Sequence, residues 1–212
     1  MAQNHHDTRH LFIAYLQNSL IVQKIILASQ SPRRQQLLQM AELKFDVIIA
    51  DVDETNPPGM PGDDVPAHLA VKKADAVSHL APDAVVIAAD TVVLLDGDIL
   101  GKPTDAADAI AMLSRLSGRT HRVVTGVCIR SSNKETVFSV VTEVHFRPLS
   151  LAQITHYVDN YRPFDKAGAY AIQEWIGVTG IEKINGDYYN VMGLPIGDVI
   201  HVLRTEYGIQ TA

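Results

Sequence analysis

Hydroxyl and guanidinium side chains cluster in a short segment that could bind an anion. Ser29 and Ser31 precede Arg33 and Arg34 in Ser-Gln-Ser-Pro-Arg-Arg, directly after the apolar residues 25–28. Serine is a good N-cap and proline suits the first helical position, so a helix is predicted to begin here. Cations in a first turn oppose the helix dipole unless an anion binds beside them. The segment is therefore predicted to bind phosphate rather than to be only a solvated helix start.

A second candidate is Asp90, which follows the apolar residues 85–89 and precedes Thr91. We expect residues 85–89 to form a buried parallel strand that ends at Asp90. Open α/β sheets bind their ligands beyond the carboxyl ends of such strands. A carboxylate at that position can activate water or hold a divalent metal, and the alternative is an aspartate that caps the next turn. We favour the catalytic interpretation.

Three further polar side chains could contact a nucleotide. Lys73 lies in a predicted helix, and Lys102 lies in Gly-Lys-Pro, where glycine lets the backbone approach a ligand and proline restricts it. The Gln173 amide offers one acceptor and two donors to the edge of a base. A lysine taken alone is more often simply solvated. Trp175 could stack on a base, although such aromatic side chains usually belong to a core or an interface.

The stretch from Val47 to Thr55 suggests a rival chemistry. Its four apolar residues followed by Asp-x-Asp-x-Thr resemble the first motif of the haloacid-dehalogenase-type phosphatases, whose first aspartate, here Asp51, becomes phosphorylated. Those enzymes also need a later lysine and a paired acidic motif after another strand, and we find no convincing pair. A phosphatase that uses Asp51 is therefore kept only as an alternative.

The composition of the 212 residues limits the class of protein. Apolar residues make up 47%, which is ample for the core of one α/β domain. The net charge of −6 argues against nucleic-acid binding, but not against a small polyanion held by local cations. The single cysteine, Cys128, suits a reducing compartment. No run reaches the ~18 apolar residues needed to cross a bilayer, and no signal peptide is recognised, so no membrane partner is expected.

The order of the predicted elements indicates one domain preceded by an extension. Residues 1–22 read as a short amphipathic extension, and residues 23–212 as the domain. Strands are predicted at 25–28, 45–49, 85–89, 123–129 and 136–146, with a hairpin over 92–100. Helices are predicted from Ser31, over 64–80 and 105–116, and from near Ser150 and Pro195. Their alternation predicts an α/β fold with a mixed, twisted β-sheet flanked by helices.

Taken together and in order, these segments resemble the Maf family of nucleoside triphosphate pyrophosphatases, also called septum-formation-inhibitor-like proteins. The resemblance covers about residues 24–207. The matching segments are Leu27-Ala-Ser-Gln-Ser-Pro-Arg-Arg34, Asp53-Glu54, Ala89-Asp90-Thr91, Gly101-Lys102-Pro103, Asp165-Lys-Ala-Gly-Ala-Tyr-Ala-Ile-Gln173 and Gly193-Leu-Pro195. The segment that begins at Asp165 resembles the branch that acts on dTTP and UTP, rather than the branch that acts on 7-methyl-GTP.

The resemblance implies a fold, an activity and a cofactor. The implied fold has two lobes around a nucleotide-binding cleft, similar to the inosine triphosphate pyrophosphatases. The implied reaction cleaves dTTP or UTP, and modified pyrimidine nucleotides, between the α and β phosphates to give the monophosphate and pyrophosphate. It implies a divalent metal, Mg²⁺ or Mn²⁺, a cytoplasmic location and a homodimer. A protein of another class stays open: a nucleotide-binding regulator of cell division and septum formation with little turnover.

The resemblance also assigns roles to residues of this chain. They are Asp90 as the general base; Arg33, Thr91 and Gln173 for substrate specificity; Ser29, Arg34, Lys73 and Lys102 for phosphate binding; and Glu54 as a metal ligand.

Overall fold

The computed structural model describes residues 23–55 and 57–210. Its strands are β1 (Ile25–Leu27), β2 (Asp46–Val47), β3 (Val85–Leu95), β4 (Asp98–Leu100), β5 (Thr120–Arg130), β6 (Glu135–Phe146) and β7 (Ile181–Asn185). Its α-helices are α1 (Pro32–Met40), α2 (Val65–Ser78), α3 (Ala106–Leu116), α4 (Leu151–Tyr161), α5 (Trp175–Gly180), α6 (Tyr188–Met192) and α7 (Ile196–Tyr207), and a 3₁₀ turn covers Ala167–Ala169. The predicted extension, residues 1–22, lies outside the described residues.

The strands form one mixed sheet in the order β2-β1-β3-β5-β6-β7, with β4 paired to β3 beside this path. β1 runs parallel to β2 and to β3, whereas the β3–β5, β5–β6 and β6–β7 pairs are antiparallel. Helices flank the sheet, so the predicted fold class is confirmed. The predicted helix starts at Ser31, at Asp105 and near Ser150 are also confirmed, because these residues are the N-caps of α1, α3 and α4.

A gap in the sheet beside β3 creates room for a site. On the side of β3 away from β5, β1 pairs with residues 85–87 and β4 pairs with residues 93–95. Residues 88–92 therefore have no neighbouring strand on that side among the described residues. Asp90 and Thr91 lie in this gap. Ligand sites of α/β sheets form where neighbouring strands part in this way.

Side-chain alternation along β3 sends Asp90 and Thr91 to opposite faces of the sheet. Thr91 shares its face with Ala89, which packs in a cluster with α1 and α7, and with Val93, which packs in a cluster with α3 and α4. Asp90 shares the other face with Ala88, which packs under α2. The apolar core is thus divided at the level of Asp90 and Thr91, in agreement with the predicted two lobes around a cleft.

Two strand predictions are wrong in their bounds. The strand predicted at 85–89 continues unbroken to Leu95, because pairing with β5 runs through Asp90 and Thr91. Asp90 is therefore in the middle of a strand, three residues beyond Ile87, where the parallel pairing with β1 ends. The strand predicted at 45–49 is reduced to Asp46–Val47, at the edge of the sheet and exposed. Asp51 consequently does not follow a buried strand, which removes the structural basis for the alternative phosphatase.

Candidate active site

A cleft of about 560 Å³ opens at the gap beside β3. All nine predicted site residues line it: Ser29, Arg33, Arg34, Glu54, Lys73, Asp90, Thr91, Lys102 and Gln173. Other lining residues come from the loop after α4 and from the turn between α6 and α7, including Asp165, Lys166, Tyr170 and Gly193. The tertiary structure therefore brings together side chains that are far apart in sequence.

Arg34 is a buried cation at the base of the cleft, with only 9% of its surface exposed. Its Nε donates to the Gly193 carbonyl at 2.7 Å, and its two terminal nitrogens donate to Ser29 Oγ at 3.1 Å and to Thr91 Oγ1 at 3.1 Å. Burial lowers the pKa of Arg34, and the nearby Asp90 carboxylate opposes that shift. Arg34 lies in the first turn of α1. Its guanidinium therefore connects this helix to the segment after β1, to β3 and to the turn after α6.

Only part of the Arg34 guanidinium is free for the predicted phosphate contact. A guanidinium has five N–H donors, and three of those of Arg34 bond to the protein itself. Two donors remain for a ligand. Arg34 is therefore in a position to hold the walls of the cleft together as well as to contact a phosphate.

Lys73 joins two of the acidic residues that line the cleft, Asp90 and Glu54. Its ammonium lies 2.7 Å from Asp90 Oδ1 and 2.7 Å from Glu54 Oε1. Burial would raise the pKa of Glu54, but the hydrogen bond and charge of Lys73, with Lys102 and Arg34, outweigh that effect and lower it. One carboxylate pair and three cations therefore share one end of the cleft.

A glycine in β5 allows Lys73 to reach Asp90. Gly126 is the register partner of Asp90, and a Cβ there would lie 2.2 Å from the backbone nitrogen of Ala67 in α2. Any larger residue would push α2 away from the sheet. Because Lys73 is also on α2, the close packing at Gly126 sets the height of its ammonium above β3.

The divalent metal implied by the resemblance fits these donors. Asp90 and Glu54 present carboxylate oxygens close enough to contact one ammonium together. Mg²⁺ prefers oxygen ligands and is commonly held by one or two carboxylates together with substrate phosphates. Over residues 23–55 and 57–210, no group of three or more His, Cys, Asp or Glu side chains is arranged to hold a metal alone. The donor set suits an ion that nucleotide phosphates help to coordinate.

The other end of the cleft is formed by the segment 165–174. Asp165 accepts from Arg33 at 2.8 Å and from Lys166 at 2.7 Å, so it connects α1 with this segment. Burial would raise the pKa of Asp165, but the hydrogen bonds from Lys166 and Arg33 lower it to about 2. Lys166 is itself buried. Arg33 and Gln173, both predicted to determine specificity, therefore belong to the same part of the site.

Tyr170 is the one aromatic residue that lines the cleft in the described part of the chain. Its hydroxyl lies 2.7 Å from Nε2 of the buried His121, whose ring packs edge-to-face on it. Burial, with the charge of His145, lowers the pKa of His121 to about 3, so this histidine is neutral near pH 7. Trp175 does not line the cleft but packs against His156, so the predicted stacking contact is not formed by this side chain.

Sequence reasoning missed several residues that support the site. Thr125 bonds to Thr91 at 2.9 Å and to the backbone oxygen of Asn190, and the fully buried Asn190 amide bonds to β5 and β6. Lys166 carried a signal, because it lies two residues before Gly168 in the Asp-Lys-Ala-Gly segment. Asn190 and Thr125 carried none, since an isolated polar residue in an apolar run does not reveal its partner.

Comparison with known proteins shows the family of this chain. A family model described as Maf-like protein matches residues 24–206. A dTTP/UTP pyrophosphatase of Cytophaga hutchinsonii is 47% identical over 194 residues, which cover 92% of this chain and 87% of that protein. A dTTP/UTP pyrophosphatase of Phocaeicola vulgatus is 47% identical over 175 residues, covering 82% of this chain and 91% of that protein. Among solved structures, a Staphylococcus aureus Ham1 protein aligns with a TM-score of 0.45 at 18% identity, over 58% of this chain and 72% of that chain. By the family match and these identities, the chain belongs to the Maf-like protein family.

Proposed function

We propose that this protein hydrolyses dTTP and UTP to the nucleoside monophosphate and pyrophosphate. The observation that carries the proposal is the carboxylate of Asp90 beside Arg34, Lys73 and Lys102 at one end of the cleft. Relatives close to half identical over most of the chain bear the name of this activity. Modified pyrimidine triphosphates have the same charge and similar base edges, so they belong to the proposed substrate class.

The positive end of the cleft suits a polyphosphate. A nucleoside triphosphate carries about four negative charges, which must be neutralised before water can attack phosphorus. Ser29 and the first turn of α1 add hydroxyl and backbone donors beside these cations. Lys102 is exposed at the rim, where it could meet the outermost phosphates as they enter.

Asp90 is the proposed general base. One of its oxygens bonds to Lys73, and the other has no hydrogen-bond partner within the described residues, so it can accept a proton from water. The water oxygen then bonds to the α phosphorus as the bond to the bridging oxygen breaks, and pyrophosphate leaves. A bound Mg²⁺ or Mn²⁺ would supply further neutralisation of the phosphate charge, with Asp90 and Glu54 as its protein ligands.

Base recognition is assigned to the other end of the cleft. The Gln173 amide can pair with the O4 and N3–H edge shared by uracil and thymine. Cytosine presents the opposite pattern, a donor at position 4 and an acceptor at position 3. Since an amide can rotate to suit either pattern, Gln173 discriminates only where its surroundings determine its orientation.

The test is a nucleotide screen with separate detection of pyrophosphate and orthophosphate. With Mg²⁺ or Mn²⁺, we expect dTTP and UTP to give monophosphate and pyrophosphate. Asp90→Asn should lower turnover by roughly 10²–10⁴ while nucleotide binding persists. Asp51→Asn is the matched control, because this exposed aspartate also lines the cleft but is assigned no catalytic role.

The other outcomes separate the alternatives. Stepwise release of orthophosphate through a diphosphate, abolished by Asp51→Asn, would favour the phosphatase chemistry. Tight nucleotide binding with neither product would favour a regulator of cell division.

We also propose that the protein acts as a cytoplasmic homodimer, an expectation that rests on its family resemblance. No helix among the described residues is long and apolar enough to cross a membrane. Light scattering coupled to gel filtration measures the oligomeric state directly, and a monomer that retains full activity would contradict the functional dimer.

A further inference from the structure

The Gln173 side chain is positioned by the backbone turn that carries it, and not by a hydrogen bond of its own. Gln173 is exposed in the cleft, and its amide has no hydrogen bond within the described residues. What orients it must therefore act through the residues on either side. The turn that carries Gln173 runs from Ala171 to Glu174 and is closed by a hydrogen bond from the Glu174 amide nitrogen to the Ala171 carbonyl oxygen. Both of these residues also bond to the same buried group.

That group is the hydroxyl of Tyr157 in α4. The Tyr157 side chain is fully buried, and its hydroxyl donates to the Glu174 carboxylate while accepting from the Ala171 amide nitrogen at 3.2 Å. One hydroxyl thus joins the two sides of a turn whose exposed residue is Gln173. Burial and the neighbouring Glu174 raise the pKa of Tyr157, so the hydroxyl keeps the proton that it donates.

The same carboxylate continues the chain of contacts toward Arg33. Glu174 Oε1 lies 3.5 Å from the Lys166 ammonium, which lies 2.7 Å from Asp165, and Asp165 accepts from Arg33. The two predicted specificity residues, Gln173 and Arg33, are therefore connected through alternating acids and bases.

We propose that Tyr157 and Glu174 are positioning residues that hold the Gln173 turn at a defined place opposite Arg33 and so set the preference for uracil and thymine over cytosine. The inference rests on the proposed function. Neither residue contacts the reacting phosphates in this account. Their loss therefore changes the selectivity between bases more than the chemical step.

The test compares Tyr157→Phe with Tyr161→Phe. Tyr161 stacks on Tyr157 in the same helix with ring centroids 5.0 Å apart, but it is exposed and its hydroxyl has no hydrogen bond within the described residues. Both variants lose one hydroxyl and keep the ring. We expect Tyr157→Phe to lower the ratio of kcat/KM for UTP to that for CTP by roughly 3- to 30-fold, mainly through KM for UTP. Tyr161→Phe should keep the wild-type ratio.

Glu174 provides a second, independent pair of variants. Glu174→Gln keeps an oxygen that can accept from Tyr157, so it should retain most of the selectivity, whereas Glu174→Ala should lose it. This pair decides the question if Tyr157→Phe does not fold. The inference would be overturned if Tyr157→Phe and Tyr161→Phe had the same selectivity, or if the two Glu174 variants did. The proposed function would stand in either case. A wild-type protein that releases no pyrophosphate from dTTP or UTP would overturn the proposed function as well.

Discussion

Replacing Arg34 by lysine distinguishes two roles of this side chain, binding phosphate and holding the cleft together. The guanidinium donates to Gly193, Ser29 and Thr91 from a fixed planar fork. Lysine keeps the positive charge but is a compact ammonium on a flexible stem, and it cannot reach three acceptors arranged around a fork. The substitution therefore removes bonds within the protein while leaving a cation for the substrate.

The size of the effect follows from these contacts. Lysine can replace one of the three hydrogen bonds, and each of the two lost bonds from a buried charged donor costs about 1–2 kcal/mol. The free energy of unfolding should fall by about 2–4 kcal/mol. At about 2–4 °C per kcal/mol for a chain of this length, the expected decrease in Tm is roughly 5–15 °C.

The matched control is Arg33→Lys, one residue earlier in the same helical turn. Arg33 makes one partly exposed ion pair with Asp165, a type of contact worth about 0–1 kcal/mol. Urea unfolding and thermal melting of both variants without nucleotide give the comparison. If Arg34→Lys is as stable as Arg33→Lys and differs only by a raised KM, Arg34 acts as a phosphate ligand and its protein contacts do not stabilise the fold.

Four further predictions concern other parts of the molecule. Lys73→Met removes the ammonium between the carboxylates of Asp90 and Glu54, so Mn²⁺ should bind the nucleotide-free protein roughly tenfold more tightly by calorimetry; weaker binding would contradict the assigned ligands. Because the unfolded chain protonates His121 near its usual pKa of 6.5 and the folded protein only near 3, stability should fall as pH is lowered between these values, and His121→Gln should reduce this dependence in urea unfolding at pH 7 and 5. Gln173→Ala should lower kcat/KM for dTTP and UTP by roughly 5- to 150-fold with little change for CTP, and a uniform decrease would assign it to packing. A chain that begins at Gln23 should keep its kcat, since no matching motif lies before it, and loss of activity with intact folding would show that the extension completes the site.

Features encoded over a few residues could be recognised from the sequence alone. The start of α1 at Ser31 follows from capping chemistry. The starts of α3 and α4 near Asp105 and Ser150, and the apolar strand that leads to Asp90, follow from the local residue pattern. The anion-binding segment at Ser29 and Arg34 and the carboxylate of Asp90 could also be singled out from local pattern, whereas the roles of Glu54 and Thr91 came from the resemblance to the Maf family. The order of the matching segments along the chain led to the family resemblance, which implied that they meet in one cleft, and all nine residues line the same cleft.

Only the tertiary structure determined how these residues are arranged. Arg34 and Gly193 are 159 residues apart, and their contact depends on how α1 packs beside the turn after α6. Pairing with β5 places Asp90 in the middle of a strand, and the gap between β1 and β4 leaves it without a neighbouring strand on the other side among the described residues. Both depend on register with strands that are distant in sequence. The bonds of Tyr157 to either side of Gln173 depend likewise on the packing of α4. Local sequence determines which residues can form a helix, a strand or a turn, whereas long-range contacts depend on which faces bury their apolar surface against each other.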